Sequence, residues 1–394
     1  PASRPPTRGK PGGGLFGKAL DGLLGTLGMK TAKRDTGLVL SEGLDLEDAL
    51  GKMFGKGGRE PATAPEPKPK PGPTLEAVKA EDAAVEAERA TANAAEITRV
   101  AGTFAGEARP EHFESGSGFT VAGADVAAGW LGAQAVARRL GDSPYWRVEP
   151  PDGGVAGDDP WWGQGWPIRA PLPLLVRLDD GRYVGAAALP RFVLSFTVGA
   201  DGTDAVIYRS YDRPYAPETE RVMAELRVAG LATGQTAEVV SRLRGGKHAD
   251  PMLGVLAAYL HDAMGDWANV ARTAWFFAER GEPVPFDIAM LGRFPCRREA
   301  NGLVTVRIPA TEADEGARGL PSWMRMATPA GEGVVAGAFP WMRQGWARLD
   351  PEGIDGLYPA GLAAIGSHLL PAPFTSLSAG GGEALKTFMW GECP

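Results

Sequence analysis

The chain has very little cysteine and histidine. Its 394 residues include two cysteines, Cys296 and Cys393, and four histidines. Two cysteines exclude a disulfide framework and a cysteine-rich zinc site. Four histidines leave little scope for histidine-based metal binding or acid–base catalysis. The sequence therefore predicts no metal site and no cofactor.

Excess basic charge and long apolar runs are also missing. The formal net charge is −7, which disfavours a nucleic-acid-binding protein that works by bulk positive charge. No run reaches the roughly 18 uncharged apolar residues of a membrane-spanning helix. The apolar stretch 15–29 follows basic residues, as in a signal peptide, but Lys18 and Asp21 interrupt it and no A-x-A site follows. We expect a cytoplasmic protein that is not secreted.

Glycine and proline are abundant, with 55 and 34 residues, and hydrophobic residues make up 44% of the chain. This composition combines loop-rich or disordered segments with enough apolar surface for a core. We predict a flexible arm over residues 1–73 that ends in a Pro-rich linker, and a helical spacer region over 74–150. An α+β body follows over 151–394.

The arm contains an amphipathic segment. Apolar residues with helical spacing share one face; they are Leu15, Phe16, Leu20, Leu23 and Leu27. Residues 1–73 carry 12 basic and 8 acidic residues, a net charge of +4 against −11 for the remainder. This asymmetry suits an anionic membrane surface or an acidic partner. The segment therefore either acts on membranes or docks on the core of this chain or on a partner helix.

The body combines strands and helices. The stretch from Pro167 to Ser210 predicts three or four antiparallel strands, with tight turns at Asp180-Gly181 and Asp201-Gly202. Periodicity then predicts helices at about 217–229, 236–244, 251–264, 267–280 and 285–292. Further strands are expected over 302–310 and 332–339.

Two more helices are expected before the body. One begins at Thr74 and reaches about Glu107, and the other runs from Ala124 to Leu140. The predicted fold is thus α+β: an antiparallel sheet body with a helical-hairpin insertion over 217–292, preceded by a long helix and the flexible arm.

A short tryptophan-containing sequence occurs twice. Residues 160–166, PWWGQGW, and residues 340–346, PWMRQGW, are identical at five of seven positions. The repeat is interpreted either as two structural turns with buried indoles or as two surface turns that bind a partner. The candidate partner-binding residues are Trp161, Trp166, Trp341 and Trp346. If residues 300–350 return to the sheet of 168–210, both turns lie on one body.

Motifs of known catalytic sites are missing from the sequence. It has no G-x-S-x-G, H-E-x-x-H or CxxC motif, and no G-x-G-x-x-G after a strand. Cys296 is the one candidate nucleophile, because the neighbouring Arg297 and Arg298 would lower its pKa. We predict that the chain is not an enzyme.

Three blocks of the body resemble a bacterial module found beside, or fused to, caspase-like, CHAT or trypsin-like peptidases. The blocks are residues 243–293 (LRGGKHADP to AMLGR), 340–349 (PWMRQGWARL) and 368–377 (HLLPAPFTSL), and the resemblance spans about 160–390. It implies a component of a protease-controlled conflict or antiviral defence system, with the body docking a peptidase partner.

Combined with the arm, the resemblance implies a non-enzymatic effector or adaptor. Cleavage would release or expose the arm, which would then act on membranes. Candidate cleavage sites are Lys30, Arg34 and Arg59, since flexible exposed segments are where proteolysis concentrates. The alternative is a scaffold whose amphipathic segments dock a protein partner without cleavage.

Overall fold

The computed structural model describes residues 91–103, 117–132, 135–149, 170–210, 217–228, 236–314 and 321–391. The arm, the Pro-rich linker and the first tryptophan turn lie outside these residues. The described part combines helices with a large mixed sheet, so the α+β class predicted from the sequence is confirmed.

Nine strands form the large sheet. In chain order they are β1 (Gly118–Ala122), β2 (Val126–Trp130), β3 (Val136–Arg139), β4 (Tyr145–Glu149), β5 (Leu172–Leu178), β6 (Tyr183–Ala188), β7 (Phe192–Gly199), β8 (Gly202–Ser210) and β15 (Ser376–Leu377). Their order across the sheet is β15-β6-β5-β2-β3-β4-β1-β7-β8. β1 and β7 run parallel, whereas the other neighbours are antiparallel. The sheet is therefore mixed rather than purely antiparallel.

The two predicted tight turns are confirmed. Asp180-Gly181 joins β5 to β6, and Asp201-Gly202 joins β7 to β8. Gly202 has φ +119°, and a Cβ there would lie 2.8 Å from the Cβ of Ser376. Only glycine suits this position, because it tolerates the conformation and allows β15 to approach β8.

A side-chain contact joins the two end strands of the sheet. The Thr203 N–H donates to Ser376 Oγ at 2.8 Å, and the Ser376 hydroxyl donates to Thr203 Oγ1 at 2.9 Å. Both side chains are fully buried. This link between β8 and β15 brings the curled sheet close to closure.

The prediction of a helix from Ala124 to Leu140 is wrong, because β2 and β3 occupy that stretch. β2 pairs with β5, and β3 pairs with β4. Pairing on both sides outweighs the helix preference of the alanines. Strands β1–β4 thus belong to the same sheet as β5–β8, and the predicted helical spacer region is partly sheet. Of the predicted long helix, α1 (91–103) is described, and its Val100 is buried in the core.

The helical insertion lies where the sequence predicts it. Its helices are α2 (Pro217–Val228), α3 (Thr236–Gly246), α4 (Pro251–Ala263), α5 (Trp267–Glu279) and α6 (Phe286–Gly292). Asp250 caps α4 by accepting from the Met252 N–H at 2.8 Å, and Asp266 caps α5 by accepting from the Asn269 N–H at 3.1 Å. Gly265, with φ +71°, makes the turn between these two helices. The predicted helical hairpin is therefore confirmed.

A smaller four-stranded sheet follows. It contains β9 (Val284–Pro285), β10 (Cys296–Arg298), β11 (Val304–Ile308) and β12 (Gly331–Ala336), in the order β10-β11-β12-β9. The remaining elements are α7 (Ser322–Arg325), α8 (Arg343–Trp346), the hairpin β13 (Gly353–Ile354) and β14 (Tyr358–Pro359), α9 (Leu362–Ile365), a 3₁₀ turn (Gly366–His368) and α10 (Ala379–Trp390).

One hydrophobic core connects these layers. α4 is buried along most of its length, and the indole of Trp341 packs against the Tyr208 ring of β8 with centroids 5.3 Å apart. The stretch after β12 therefore does return to the large sheet, as the sequence predicts for 300–350. Within the residues that the structure describes, no helix is both long enough and apolar enough to cross a bilayer.

Candidate functional site

Besides the candidate nucleophile Cys296, the structure places two of the candidate site residues named from the sequence. Trp341 and Trp346 lie in the turn before and within α8. The other candidates fall outside the described residues; they are Leu15, Phe16, Leu20, Leu23, Leu27, Lys30, Arg34, Arg59, Trp161 and Trp166.

A buried carboxylate anchors the second tryptophan turn. Asp287 of α6 accepts hydrogen bonds from the Trp341 N–H at 2.8 Å and from the Tyr259 hydroxyl at 2.6 Å. Burial raises the pKa of Asp287 to about 6, although these hydrogen bonds oppose the shift. The charged form is thus stabilised by donors from two different segments, and the turn is fixed against α4 and α6.

Thr375 anchors the other end of the turn. The Trp346 Nε1–H donates to Thr375 Oγ1 at 2.8 Å, and the Thr375 hydroxyl donates to the Pro340 carbonyl at 2.6 Å. A Cβ on Gly345 would lie 2.3 Å from the Tyr259 hydroxyl, so no larger residue fits there without displacing it. The proline, glycine and last tryptophan of PWMRQGW therefore each have a packing role.

Both tryptophans of this turn are buried, with Trp341 0% and Trp346 4% exposed. Of the two interpretations of the repeat, the burial of this copy favours the structural one. In the folded body neither indole offers a surface to a partner.

The three sequence blocks on which the resemblance depends meet at this turn. Asp287 belongs to the first block and bonds Trp341 of the second. Thr375 of the third block donates its N–H to the Trp341 carbonyl at 2.9 Å, and the Arg343 N–H donates to the Pro373 carbonyl at 3.0 Å. The blocks thus form one contiguous unit, although Asp287 of the first block lies 54 residues before Trp341 of the second.

A cleft opens beside this unit, with a volume of about 780 Å³. Arg297 and Arg298 of β10 lie on one wall, and Glu352 and Asp355 near the β13–β14 hairpin lie on another. Apolar side chains complete the lining; they are Ile354, Tyr358, Pro359, Phe388 and Met389. A lining that combines apolar side chains with both signs of charge suits an extended peptide segment.

Cys296 also lines this cleft, but the expectation of a lowered pKa is wrong. Burial raises the pKa of its thiol to about 11. The Arg297 guanidinium pairs with Glu299 at 2.7 Å, and Arg298 donates to the Leu357 carbonyl at 3.3 Å. Since both guanidinium groups are engaged elsewhere, the thiol stays protonated at neutral pH and lacks the character of a nucleophile.

The two histidines of the helical insertion each face one carboxylate. His248 Nδ1 contacts Glu282, and His261 Nδ1 lies 3.2 Å from Asp266 Oδ2. Asp262, the neighbour of His261 in the chain, instead pairs with Arg348 at 2.9 Å. The structure forms no group of three metal-ligating side chains within its described ranges.

A buried polar cluster ties the insertion to the large sheet. Arg209 of β8 pairs with Glu220 of α2 at 3.1 Å, and both side chains are buried. Asp250 lies nearby, and burial raises its pKa to about 8. Sequence patterns give no indication of this cluster, because its members lie on three separate elements.

The insertion also buries cationic side chains that the sequence analysis did not single out. Arg244, Lys247 and Arg272 are 0%, 4% and 1% exposed. The signal was a basic residue within the apolar face of a predicted helix, as at Arg272 in WANVARTAWFFAE. Buried basic residues are rare unless they are paired.

Comparison with known proteins found no matching family model, no matching curated protein and no matching solved structure.

Proposed function

We propose that the chain is a non-enzymatic effector or adaptor of a protease-controlled bacterial conflict or antiviral defence system. The body docks a caspase-like, CHAT or trypsin-like peptidase. Cleavage in residues 1–73 then releases or exposes the amphipathic segment, which acts on anionic membranes.

The observation that carries this proposal is the convergence of the three blocks of the resemblance. Blocks that share one origin as a module are expected to pack together, and residues 243–293, 340–349 and 368–377 do so around Asp287 and Thr375. The proposal keeps the finer form of the predicted fold, an antiparallel body with a helical insertion, with the parallel β1–β7 and β9–β12 pairs as exceptions.

The cleft beside β10 is the docking surface that we assign to the peptidase. The side chain of Arg297 is 77% exposed, and that of Arg298 lies beside it on the same strand. A peptidase segment that places an acidic side chain near these arginines and apolar side chains on Ile354 and Tyr358 would complement the cleft.

The arm supplies the cleavable and membrane-active part. Its net charge of +4 favours an anionic surface, and its apolar face at Phe16, Leu20 and Leu23 would enter the interface. Cleavage after Lys30 or Arg34 separates this face from the body.

Incubation of the full chain with purified peptidases of the three classes, in separate reactions, tests the docking step. Mass spectrometry would identify the fragments. We expect one peptidase to cut first at Lys30, Arg34 or Arg59, and Arg297→Glu to slow that cut about tenfold, because it reverses a rim charge of the docking surface.

The matched control is Arg307→Glu on the adjacent strand β11, where the side chain is 74% exposed and lies outside the cleft. An equal effect of both variants would contradict docking in the cleft. The absence of any cut within residues 1–73 would contradict the cleavage step and leave the scaffold alternative, in which the arm docks a protein partner uncut.

A further inference from the structure

Arg244 of α3 is buried, and one edge of its guanidinium group makes no hydrogen bond to the described residues. Its Nη1 donates to Asn269 Oδ1 at 2.7 Å. Its Nε and Nη2 have no hydrogen-bond partner among the described residues. Nε and Nη2 form the edge with which arginine binds two oxygens of one carboxylate or phosphate. This oxyanion-binding edge is therefore buried and contacts no acceptor among the described residues.

A second buried guanidinium group beside Arg244 also has an unpaired donor. Arg272 of α5 donates through Nε to the Met326 carbonyl at 2.9 Å, but its Nη1 has no partner within the described chain. His261 directs Nδ1 toward the Asp266 carboxylate, and burial lowers the pKa of its ring, so the unpartnered Nε2 is an unprotonated acceptor and adds no donor. All three side chains are at most 2% exposed. An unpaired buried donor is costly, so a cluster of them points to a missing acceptor.

The positive charges are close together and incompletely balanced. Burial, together with the nearby charge of Arg272, lowers the pKa of Arg244 to about 9. Burial and the Arg244 charge lower the pKa of Lys247 to about 7. Asp266 is the carboxylate that offsets Arg244, and its oxygens already accept from His261 and Asn269. Glu282 acts on Lys247 in the same way, so two guanidinium groups and an ammonium group face two carboxylates.

Aromatic rings cover the cluster without neutralising it. The Arg244 guanidinium lies 4.9 Å from the centroid of the Trp323 ring, and Lys247 Nζ lies 4.7 Å from that of Phe276. Cation–π contacts stabilise buried cations but accept no hydrogen bonds in the plane of the guanidinium. The donors of Arg244 and Arg272 remain available to an anion.

We propose that the helical insertion holds a small tetrahedral oxyanion, of the phosphate type, between Arg244 and Arg272. The Nε–Nη2 edge of Arg244 binds two of its oxygens, and Arg272 Nη1 binds a third. Because the side chains are at most 2% exposed, the occupant is a free anion rather than part of a macromolecule. This site lies apart from the docking cleft and does not depend on the peptidase proposal.

The test uses the full chain and inorganic phosphate. Equilibrium dialysis would measure its affinity and stoichiometry, and thermal unfolding would be followed at constant ionic strength with phosphate, acetate or chloride. We expect one phosphate per chain and a Tm that rises with phosphate concentration. A parallel titration with glycerol phosphate distinguishes free phosphate from the phosphoryl group of a larger molecule. If the site excludes this ester, the occupant is free phosphate. If the ester binds as well as phosphate does, the occupant is a phosphoryl group of a larger molecule, which contradicts a free anion.

Arg244→Met keeps the volume and removes the binding edge. We expect at least a 30-fold weaker affinity for phosphate, together with an unchanged or higher Tm in chloride, since an unneutralised buried charge is removed. Lys247→Met serves if Arg244→Met does not fold, and should weaken binding about three- to tenfold. Arg307→Met on the exposed face of β11 is the matched control and should bind as the unmodified chain does.

Two results would overturn the proposal. One is the absence of phosphate binding at about 10 mM phosphate, since a dissociation constant above this concentration corresponds to a very weak interaction. The other is non-specific binding. It would appear as a phosphate affinity that persists in both Arg244→Met and Lys247→Met, or as an equal rise in Tm with chloride at the same ionic strength, which is the effect of screening.

Discussion

Asp250 and Asp266 cap consecutive helices in the same way, yet their surroundings move the two pKa values in opposite directions. Burial raises the pKa of Asp250 to about 8. For Asp266 burial also acts to raise the pKa, but hydrogen bonds from His261 and Asn269 outweigh it, and the pKa falls to about 2. A capping motif is readable from sequence, whereas the ionisation state of the cap depends on what folds around it.

We predict that Asp250→Asn removes a pH dependence of stability. Between about pH 4 and pH 8 the folded chain keeps a proton on Asp250 that the unfolded chain has released, so the free energy of unfolding falls as pH rises. Asn still accepts from the Met252 N–H but does not titrate. The variant should therefore gain more than about 1 kcal/mol relative to the unmodified chain between pH 5 and pH 8 in urea unfolding.

Asp266→Asn is the matched control with the opposite sign. A lowered pKa stabilises the folded chain above the ordinary value near 4, and this contribution is lost as pH falls toward 2. The variant should be destabilised at pH 7 and should approach the unmodified chain in acid. Parallel pH profiles for Asp250→Asn and the unmodified chain would contradict the assignment of a protonated Asp250.

At the scale of elements, the sequence predicts features whose causes are local. The turns at Asp180-Gly181 and Asp201-Gly202, and the α4–α5 hairpin with Gly265 as its turn, follow from residues a few positions apart. The alanines of the stretch 124–140 favour a helix, while the β5 strand that pairs with it lies more than 40 residues later. Non-local pairing decides such segments, and no local pattern contains that information.

β15 is a second segment whose pairing cannot be predicted from local sequence. Two residues at 376–377 pair with β6, nearly 200 residues earlier in the chain, and Ser376 links β15 to Thr203 of β8. The sequence gives no sign of this strand. Its position is set by the core beneath it and by the glycine at 202, which allows the close approach.

We predict that Ser376→Ala lowers the free energy of unfolding by about 1–3 kcal/mol, because it leaves the buried Thr203 N–H and hydroxyl without their partner. Denaturation in urea measures the change. Ser367→Ala is the control: its exposed hydroxyl bonds only the Ala364 carbonyl within the same turn, and the change should stay within about 0.5 kcal/mol. Equal effects of the two variants would show that the link between β8 and β15 does not stabilise the sheet.

At the scale of the whole molecule, part of the candidate site follows from the sequence and part does not. The repeat singled out Trp341 and Trp346, but the residues that fix their turn, Asp287 and Thr375, lie in distant segments. The cationic cluster is likewise assembled from α3, α4 and α5. A buried arginine resembles a surface arginine in sequence, since the difference is what packs over it.

In the proposed function, a folded body is joined to an arm that acts after cleavage. The two parts carry opposite net charge, +4 in residues 1–73 and −11 in the remainder. As long as the chain is intact, the negative charge of the body disfavours binding of the basic arm to an anionic membrane. Separation of the arm removes that opposition.

Dye leakage from anionic liposomes tests this central claim most directly. The samples are the intact chain, the chain after limited trypsin digestion, and synthetic peptides of residues 1–34 with and without Leu20→Glu and Leu23→Glu. The account predicts leakage from the digest and the unmodified peptide, and none from the intact chain or the substituted peptide, whose apolar face is broken. Leakage from no sample, or equal leakage from the intact chain and the peptide, would contradict a restrained membrane-active arm.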